Sequence, residues 1–196
     1  MDCMRLLLEV ALACTPGVEV DEQVQYYAVH GRTPTELTES MALNGPRHPR
    51  GRNAWGLTEW DITAHYELRQ EPDRCEVVAP SMTLTLRIVL PQWQRPTQVD
   101  PRELPGIWKR AQVQMIGHEQ QHRAHAHAGA ARMLRNLQAL PSSGSCAEAD
   151  RRAQAAIREA NAWTRSESLA FDTATRYGAE NGITPGEAAS GVPGVF

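Results

Sequence analysis

Alternating hydrophobic and polar positions predict three strands in the first half of the chain. A β-prone run over residues 24–29 ends at Gly31. Two longer runs, over residues 55–68 and 75–90, alternate more regularly. The turn sequence Glu71-Pro72-Asp73 separates them, so we expect these two strands to form an antiparallel pair.

Helical periodicity dominates the second half. Only two glycines interrupt a helical pattern from Ile107 to Leu140, and a second amphipathic stretch over residues 147–170 is expected to pack back on it as a hairpin. A short earlier helix begins at the cap Thr33-Pro34 and stops at Asn44-Gly45-Pro46. The predicted fold class is α+β, with a small antiparallel sheet and a short helix packed on a long helix and a second helix.

One side of the long predicted helix is apolar. Its members are Trp108, Met115, Ala126, Met133, Leu137 and Leu140. The second helix has a similar stripe, made of Ala149, Ala153, Ala156, Ile157, Ala160 and Trp163.

Length and charge narrow the possible functions. The chain has 196 residues, enough for one domain, which we place at residues 24–182, with a tether over 15–23 and a flexible tail over 183–196. A net charge of −3 provides no basic surface for nucleic acid. No apolar run is long enough to cross a bilayer.

The first 14 residues are typical of an export signal. An apolar stretch follows Arg5, and Cys14 comes after small residues, where a bacterial lipoprotein would be cleaved and attached to a membrane by a lipid. Because the stretch is short and Glu9 interrupts it, a frayed terminal helix or a start codon placed too late are the alternatives. We expect an exported protein, periplasmic or in the envelope.

The number and positions of the cysteines agree with an exported protein. If Cys3 leaves with the signal and Cys14 carries a lipid, Cys75 and Cys146 remain as one pair. In an exported domain such a pair predicts a disulfide, whereas in a reducing cytosol the two would be buried thiols.

The candidate chemistry lies in His118-Glu119-Gln120-Gln121-His122, an H-E-x-x-H pattern within the long helix. Residues four apart face the same way, so the two imidazoles supply two of the three protein ligands of a catalytic zinc. Glu119 then flanks the metal as a general base. The alternative is a solvated polar helix face that matches by chance.

A third ligand must come from elsewhere in the chain. If the helices form a hairpin, the segment containing Asp172 returns toward the long helix, and its carboxylate suits zinc. Tyr177 would donate to the oxyanion. The rival ligands are Glu148, Glu159 and Glu167, and a capping role for Asp172 is the alternative.

These residues resemble a bacterial family of uncharacterised proteins that are predicted to be secreted zinc-dependent proteases. The resemblance rests on Tyr26-Tyr27-x-x-x-Gly31, Asn44-Gly45-Pro46, Thr58-x-Trp60, Leu90-Pro91-x-Trp93, Trp108, His118-Glu119-x-x-His122-Arg123, Cys75 and Cys146. It also includes a closing Y-D-x-x-T-x-H-G string, met here by Asp172, Thr175 and Gly178. Phe171 replaces the tyrosine and Tyr177 the histidine of that string. If that histidine is a ligand in the family, this chain has lost it, and either Asp172 or Tyr177 compensates or the activity is reduced.

The sequence therefore predicts an exported, zincin-like zinc metallopeptidase that acts on a protein or peptide substrate. Zinc would be held by His118, His122 and Asp172, with Glu119 as the general base. The alternatives are a non-catalytic, zinc-stabilised envelope or binding lipoprotein and, less strongly, a cell-wall amidase. Neither the cleavage preference nor the oligomeric state follows from the sequence.

Overall fold

A computed structural model describes residues 15–48, 51, 53–97 and 104–178. These residues form three strands and three helices. Their order is β1 (Val18–Val29), α1 (Pro34–Asn44), β2 (Leu57–Gln70), β3 (Cys75–Trp93), α2 (Leu104–Gln138) and α3 (Cys146–Ala174). This composition confirms the α+β class.

The first strand is longer than predicted, since it begins at Val18 rather than Val24. Residues 18–23 therefore belong to a strand, and the expected tether over 15–23 is wrong there. Val18-Glu19-Val20-Asp21 alternates apolar and acidic residues, a strand pattern whose acidic half suggested a linker. Pairing with β3 settles the conformation, because the amide of Met82 donates to the carbonyl of Gly17 at 2.8 Å.

The sheet is mixed rather than antiparallel, with the strand order β1-β3-β2. The β2–β3 hairpin closes where the Glu71 amide donates to the carbonyl of Arg74 at 2.7 Å. Along β1 and β3 the residue numbers of bonded partners rise together, from Gly17–Met82 to Val29–Gln94, so these strands are parallel. The prediction failed here because alternation reports which face is buried and carries no information on strand direction.

The short helix has the predicted ends. The Thr33 side chain accepts a hydrogen bond from the Glu36 amide at 3.2 Å, and Pro34 occupies the first helical position. At the other end, the Gly45 amide donates to the Met41 carbonyl at 2.9 Å, and a Cβ on Gly45 would lie 2.0 Å from the Ala54 carbonyl oxygen. A glycine is therefore required where α1 stops.

The two long helices agree with the prediction apart from their ends. α2 begins at Leu104 and α3 continues to Ala174, so Asp172 lies in the last turn of a helix rather than after it. Most of both predicted stripes is buried. The buried members are Trp108, Met115, Ala126, Met133, Leu137, Ala149, Ala153, Ala156 and Ala160.

The described chain divides into two compact units. One contains residues 15–21, 61–85 and 124–165, and the other contains residues 22–60, 86–123 and 166–178 with the gaps noted above. In the first unit α2 and α3 pack closely. A Cβ placed on Gly129 would lie only 2.0 Å from the Thr164 hydroxyl oxygen. This approach confirms the predicted helix hairpin.

The second unit has a core built from both helices and strands. Its buried members are Val29, Leu37, Met41, Trp55, Leu104, Trp108, Ala111 and Met115, with Tyr27 and Trp93 packed against them. The part of α2 that immediately precedes His118 therefore packs in this core.

In the first unit a disulfide joins Cys75 at the start of β3 to Cys146 at the start of α3. Their Cα atoms are 5.0 Å apart and the bond spans 71 residues of sequence. Cys75 also exchanges two backbone hydrogen bonds with Ser143, at 2.7 and 2.9 Å. The predicted pairing is thus present in the structure.

Three predictions concern segments outside the described residues: the signal over 1–14, the lipid on Cys14 and the tail over 183–196. Among the described helices, none combines the length and hydrophobicity needed to span a bilayer.

Candidate metal centre

His118 and His122 lie on one face of α2, as their spacing predicts. Their Nε2 atoms are 3.2 Å apart and their rings meet edge to face, with centroids 4.8 Å apart. Only 8% of His118 is exposed, and it continues the buried face formed by Ala111 and Met115. Packing of this face against the core of the second unit fixes where the imidazoles point.

Asp172 completes the group from the last turn of α3. Its Oδ1 lies 3.3 Å from His118 Nε2 and 2.9 Å from His122 Nε2. The structure thus brings together the three predicted ligands in one cluster. Among the described residues, none of the rivals Glu148, Glu159 and Glu167 belongs to this cluster. Glu148 pairs with Arg152 within α3, and Glu159 is 3.6 Å from Arg132.

The spacing of these three atoms fits a zinc-sized ion. Ligands about 2.0–2.1 Å from a tetrahedral zinc lie roughly 3.3 Å from one another. The observed separations of 3.2, 3.3 and 2.9 Å are close to that value. Two imidazole nitrogens and one carboxylate oxygen are also a donor set that zinc accepts. His118 departs from the usual surroundings of a ligand, since its buried Nδ1 has no hydrogen-bond partner among the described residues.

Charge is unevenly distributed within the cluster. Burial favours the neutral form of Asp172, but hydrogen bonds from His118 and His122 outweigh it and hold the pKa of Asp172 far below its usual value. Burial works against protonation of His122, yet the hydrogen bond to Asp172 and the nearby Glu119 raise its pKa. The metal-free cluster therefore favours an ionised Asp172 beside a protonated His122.

Glu119 lies beside the cluster and is 5% exposed. The Thr58 hydroxyl donates a hydrogen bond to its Oε2 at 2.7 Å. Burial raises the pKa of Glu119, and the neighbouring His122 and the Thr58 hydrogen bond only partly oppose this. A carboxyl group with a raised pKa next to a possible metal position is suited to accept and return a proton.

Phe171 covers both imidazoles. Its ring centroid lies 4.8 Å from that of His118 at an interplanar angle of 32°, and 5.4 Å from that of His122 at 81°. Sequence analysis identified Phe171 only as a replacement for the tyrosine of the closing string. An aromatic residue immediately before the carboxylate ligand is the signal that would have identified it.

The backbone after Asp172 explains much of the closing string. α3 ends in a turn in which the Tyr177 amide donates to the Asp172 carbonyl at 2.6 Å, and Arg176, Tyr177 and Gly178 all have positive φ angles. The Thr175 hydroxyl caps the Phe171 carbonyl at 2.9 Å. The turn therefore anchors the ligand-bearing end of the helix. That Tyr177 acts on an oxyanion stays a prediction.

Comparison with known proteins identifies a family. The model of a family described as "Bacterial protein of unknown function (DUF922)" matches residues 24–178. No curated protein and no solved structure matches the chain. The match covers every residue of the site described above.

Proposed function

The chain belongs to this bacterial DUF922 family, and from that premise we propose that it is a zinc-dependent hydrolase, an exported metallopeptidase. The observation that carries the proposal is the meeting of His118, His122 and Asp172 within hydrogen-bond distance, beside a buried Glu119. A zinc peptidase needs three protein ligands and an adjacent proton acceptor. The resemblance noted from the sequence adds support for the same chemistry.

The three ligands alone do not identify the metal as zinc. The carboxylate beside them is needed for that assignment. Two histidines and one carboxylate also bind iron in non-haem oxygenases. A buried carboxylate placed to move protons favours hydrolysis, for which zinc is suited. Metal analysis after purification is expected to find zinc, and bound iron with oxygen-dependent chemistry would overturn the proposal.

The mechanism assigns a task to each side chain. Zinc held by His118, His122 and Asp172 would lower the pKa of a water molecule toward neutrality and polarise the scissile carbonyl. Glu119 would accept a proton from the attacking water as the water oxygen adds to the carbonyl carbon. As the C–N bond breaks, Glu119 returns the proton to the departing amine. The Tyr177 hydroxyl is proposed to donate to the oxyanion.

A peptide substrate is supported by the position of β2. This strand lies at an edge of the sheet, and its second residue, Thr58, contacts Glu119. An extended peptide that pairs with a strand edge is recognised through its main chain. The proposal of a zincin-like fold is supported by the proximity of this edge strand to the H-E-x-x-H helix. The disulfide between Cys75 and Cys146 supports an exported protein, and Cys14 the proposed lipid attachment.

Glu119→Gln tests the proposal. The variant is expected to bind zinc as the wild type does while losing at least about 100-fold in kcat, because the amide cannot accept the proton. Hydrolysis of casein and of cell-wall peptides, measured beside metal content, gives the result. Glu39→Gln, on the exposed surface of α1, is the matched control. Wild-type turnover by Glu119→Gln would refute the mechanism.

A second candidate is a zinc clamp without turnover. It is favoured by one observation: the three ligands come from two helices, with Asp172 on α3 and the histidines on α2. In an envelope lipoprotein such a metal would stabilise the contact between them. Tight zinc binding combined with no cleavage of protein, peptide or cell-wall substrates would favour the clamp.

A further inference from the structure

The side chain of Glu119 is held by the start of β2, 61 residues earlier in the chain. The Thr58 hydroxyl oxygen lies 2.7 Å from Glu119 Oε2 and 3.3 Å from the Glu119 carbonyl oxygen. A hydroxyl has one proton to donate, and the carboxyl oxygen is the nearer of the two acceptors. Thr58 therefore occupies Oε2.

Gly56 restrains the same side chain from another direction. A Cβ built on Gly56 would lie 2.6 Å from Glu119 Oε1, 3.0 Å from Cγ and 3.1 Å from Cδ. The carboxylate therefore rests directly against the backbone at residue 56, in space that any other residue would fill. Here the need for glycine comes from close approach.

Both residues belong to one short segment at the start of β2. Gly56 lies in the bend that immediately precedes the strand, and Thr58 is the second residue of β2. A third observation is that Glu119 is 5% exposed, so water has little access to its oxygens. Two contacts from one short segment thus define how the carboxylate is oriented.

We infer that Thr58 and Gly56 are positioning residues that orient the general base, with Thr58 holding Oε2 so that Oε1 receives the proton. The inference rests on the proposed function for its catalytic consequence. Its structural part, the coupling of Thr58 to Glu119, stands without turnover. Both residues contact Glu119, and the proposed role is exerted through it.

Three variants separate this role from a general structural one. Thr58→Val keeps the shape and removes the hydroxyl, and Thr58→Ser keeps the hydroxyl. With the zinc-loaded protein, Thr58→Val is expected to lower kcat about 10–100-fold with little change in KM or zinc content. Thr58→Ser is expected to stay within about twofold of wild type, and Gly56→Ala to lose kcat as Thr58→Val does. Thr63→Val, an exposed threonine on the same strand, is the control.

A stability cycle provides a second readout that needs no activity. The urea midpoint is measured for Thr58→Val, Glu119→Leu and the double variant, all without metal. The inference predicts that Thr58→Val lowers the midpoint in the wild-type background and has little further effect once Glu119 is leucine. Additive changes would overturn the coupling, whether or not a substrate has been found.

The two proposals fail in different ways. If Glu119→Gln abolishes hydrolysis and Thr58→Val retains the wild-type kcat, the positioning role is overturned and the proposed function survives. If Glu119→Gln retains wild-type turnover, the proposed function fails, and the stability cycle alone then decides whether Thr58 holds Glu119.

Discussion

Single residues at the site show how burial and pairing set the charge of the cluster. Asp172 is stabilised as an anion by the two imidazoles, and His122 is stabilised as a cation by Asp172 and Glu119. Zinc requires both imidazoles to be neutral, so below the raised pKa of His122 it must displace a proton from that ring. The same contacts that assemble the site without metal therefore oppose metal binding at acidic pH.

The stability of the metal-free protein should depend on pH as a consequence. The raised pKa values of His122 and Glu119 mean that the folded state holds their protons more tightly than the unfolded state does. Their effect on stability is most favourable below the unfolded values, 6.5 and 4.5, and is lost as pH rises through the higher folded values. The lowered pKa of Asp172 means that this residue stabilises the folded state above pH 3.8. That contribution is lost on acidification.

Without metal, the urea midpoint is therefore expected to be highest between about pH 4 and 6 and to fall toward pH 8. Between pH 4 and 8, zinc should raise the midpoint most at pH 8, where competition from protons is weakest. Asp172→Asn is expected to flatten the metal-free profile. A metal-free midpoint that rises steadily from pH 6 to 8 would contradict the charge assignment.

At the scale of elements, the sequence predicted the helices and their site-bearing faces well. The four-residue spacing of His118 and His122 is a local property, and the helix hairpin brings Asp172 back to them. Sequence analysis did not identify Thr58 and Gly56, because their contact with Glu119 is between distant segments and has no local pattern. The direction of β1 was missed for a similar reason, since strand alternation is the same in parallel and antiparallel pairs.

Substitution of two of the three glycines of α2, Gly117 and Gly129, is expected to change stability in opposite directions. A Cβ on Gly117 would meet nothing within 4 Å, so Gly117→Ala should raise the free energy of unfolding by about 0.5–1 kcal/mol. A Cβ on Gly129 would lie 2.0 Å from the Thr164 hydroxyl oxygen, so Gly129→Ala should lower it by about 1–3 kcal/mol.

Urea unfolding of both variants measures the difference. Thr164→Ala in the Gly129→Ala background should restore part of the loss, because it removes the hydroxyl that the new methyl group meets. Equal effects of the two glycine substitutions would mean that α2 and α3 do not approach at Gly129 as described.

For the whole molecule, the largest covalent constraint is the disulfide between Cys75 and Cys146. Because it closes a loop spanning 71 residues, replacing both cysteines with serine should lower the free energy of unfolding by about 3–5 kcal/mol. Urea unfolding with and without reductant gives the comparison. Reduced wild-type protein should match the double variant, and an unchanged midpoint in either would contradict a stabilising role.

The central claim is that one zinc ion binds His118, His122 and Asp172 next to Glu119. Anomalous diffraction at the zinc edge, from crystals grown with one equivalent of zinc, tests it most directly. The account predicts a single strong peak about 2.0–2.2 Å from the two Nε2 atoms and an Asp172 carboxylate oxygen. A peak at other residues, or no peak at all, would contradict it.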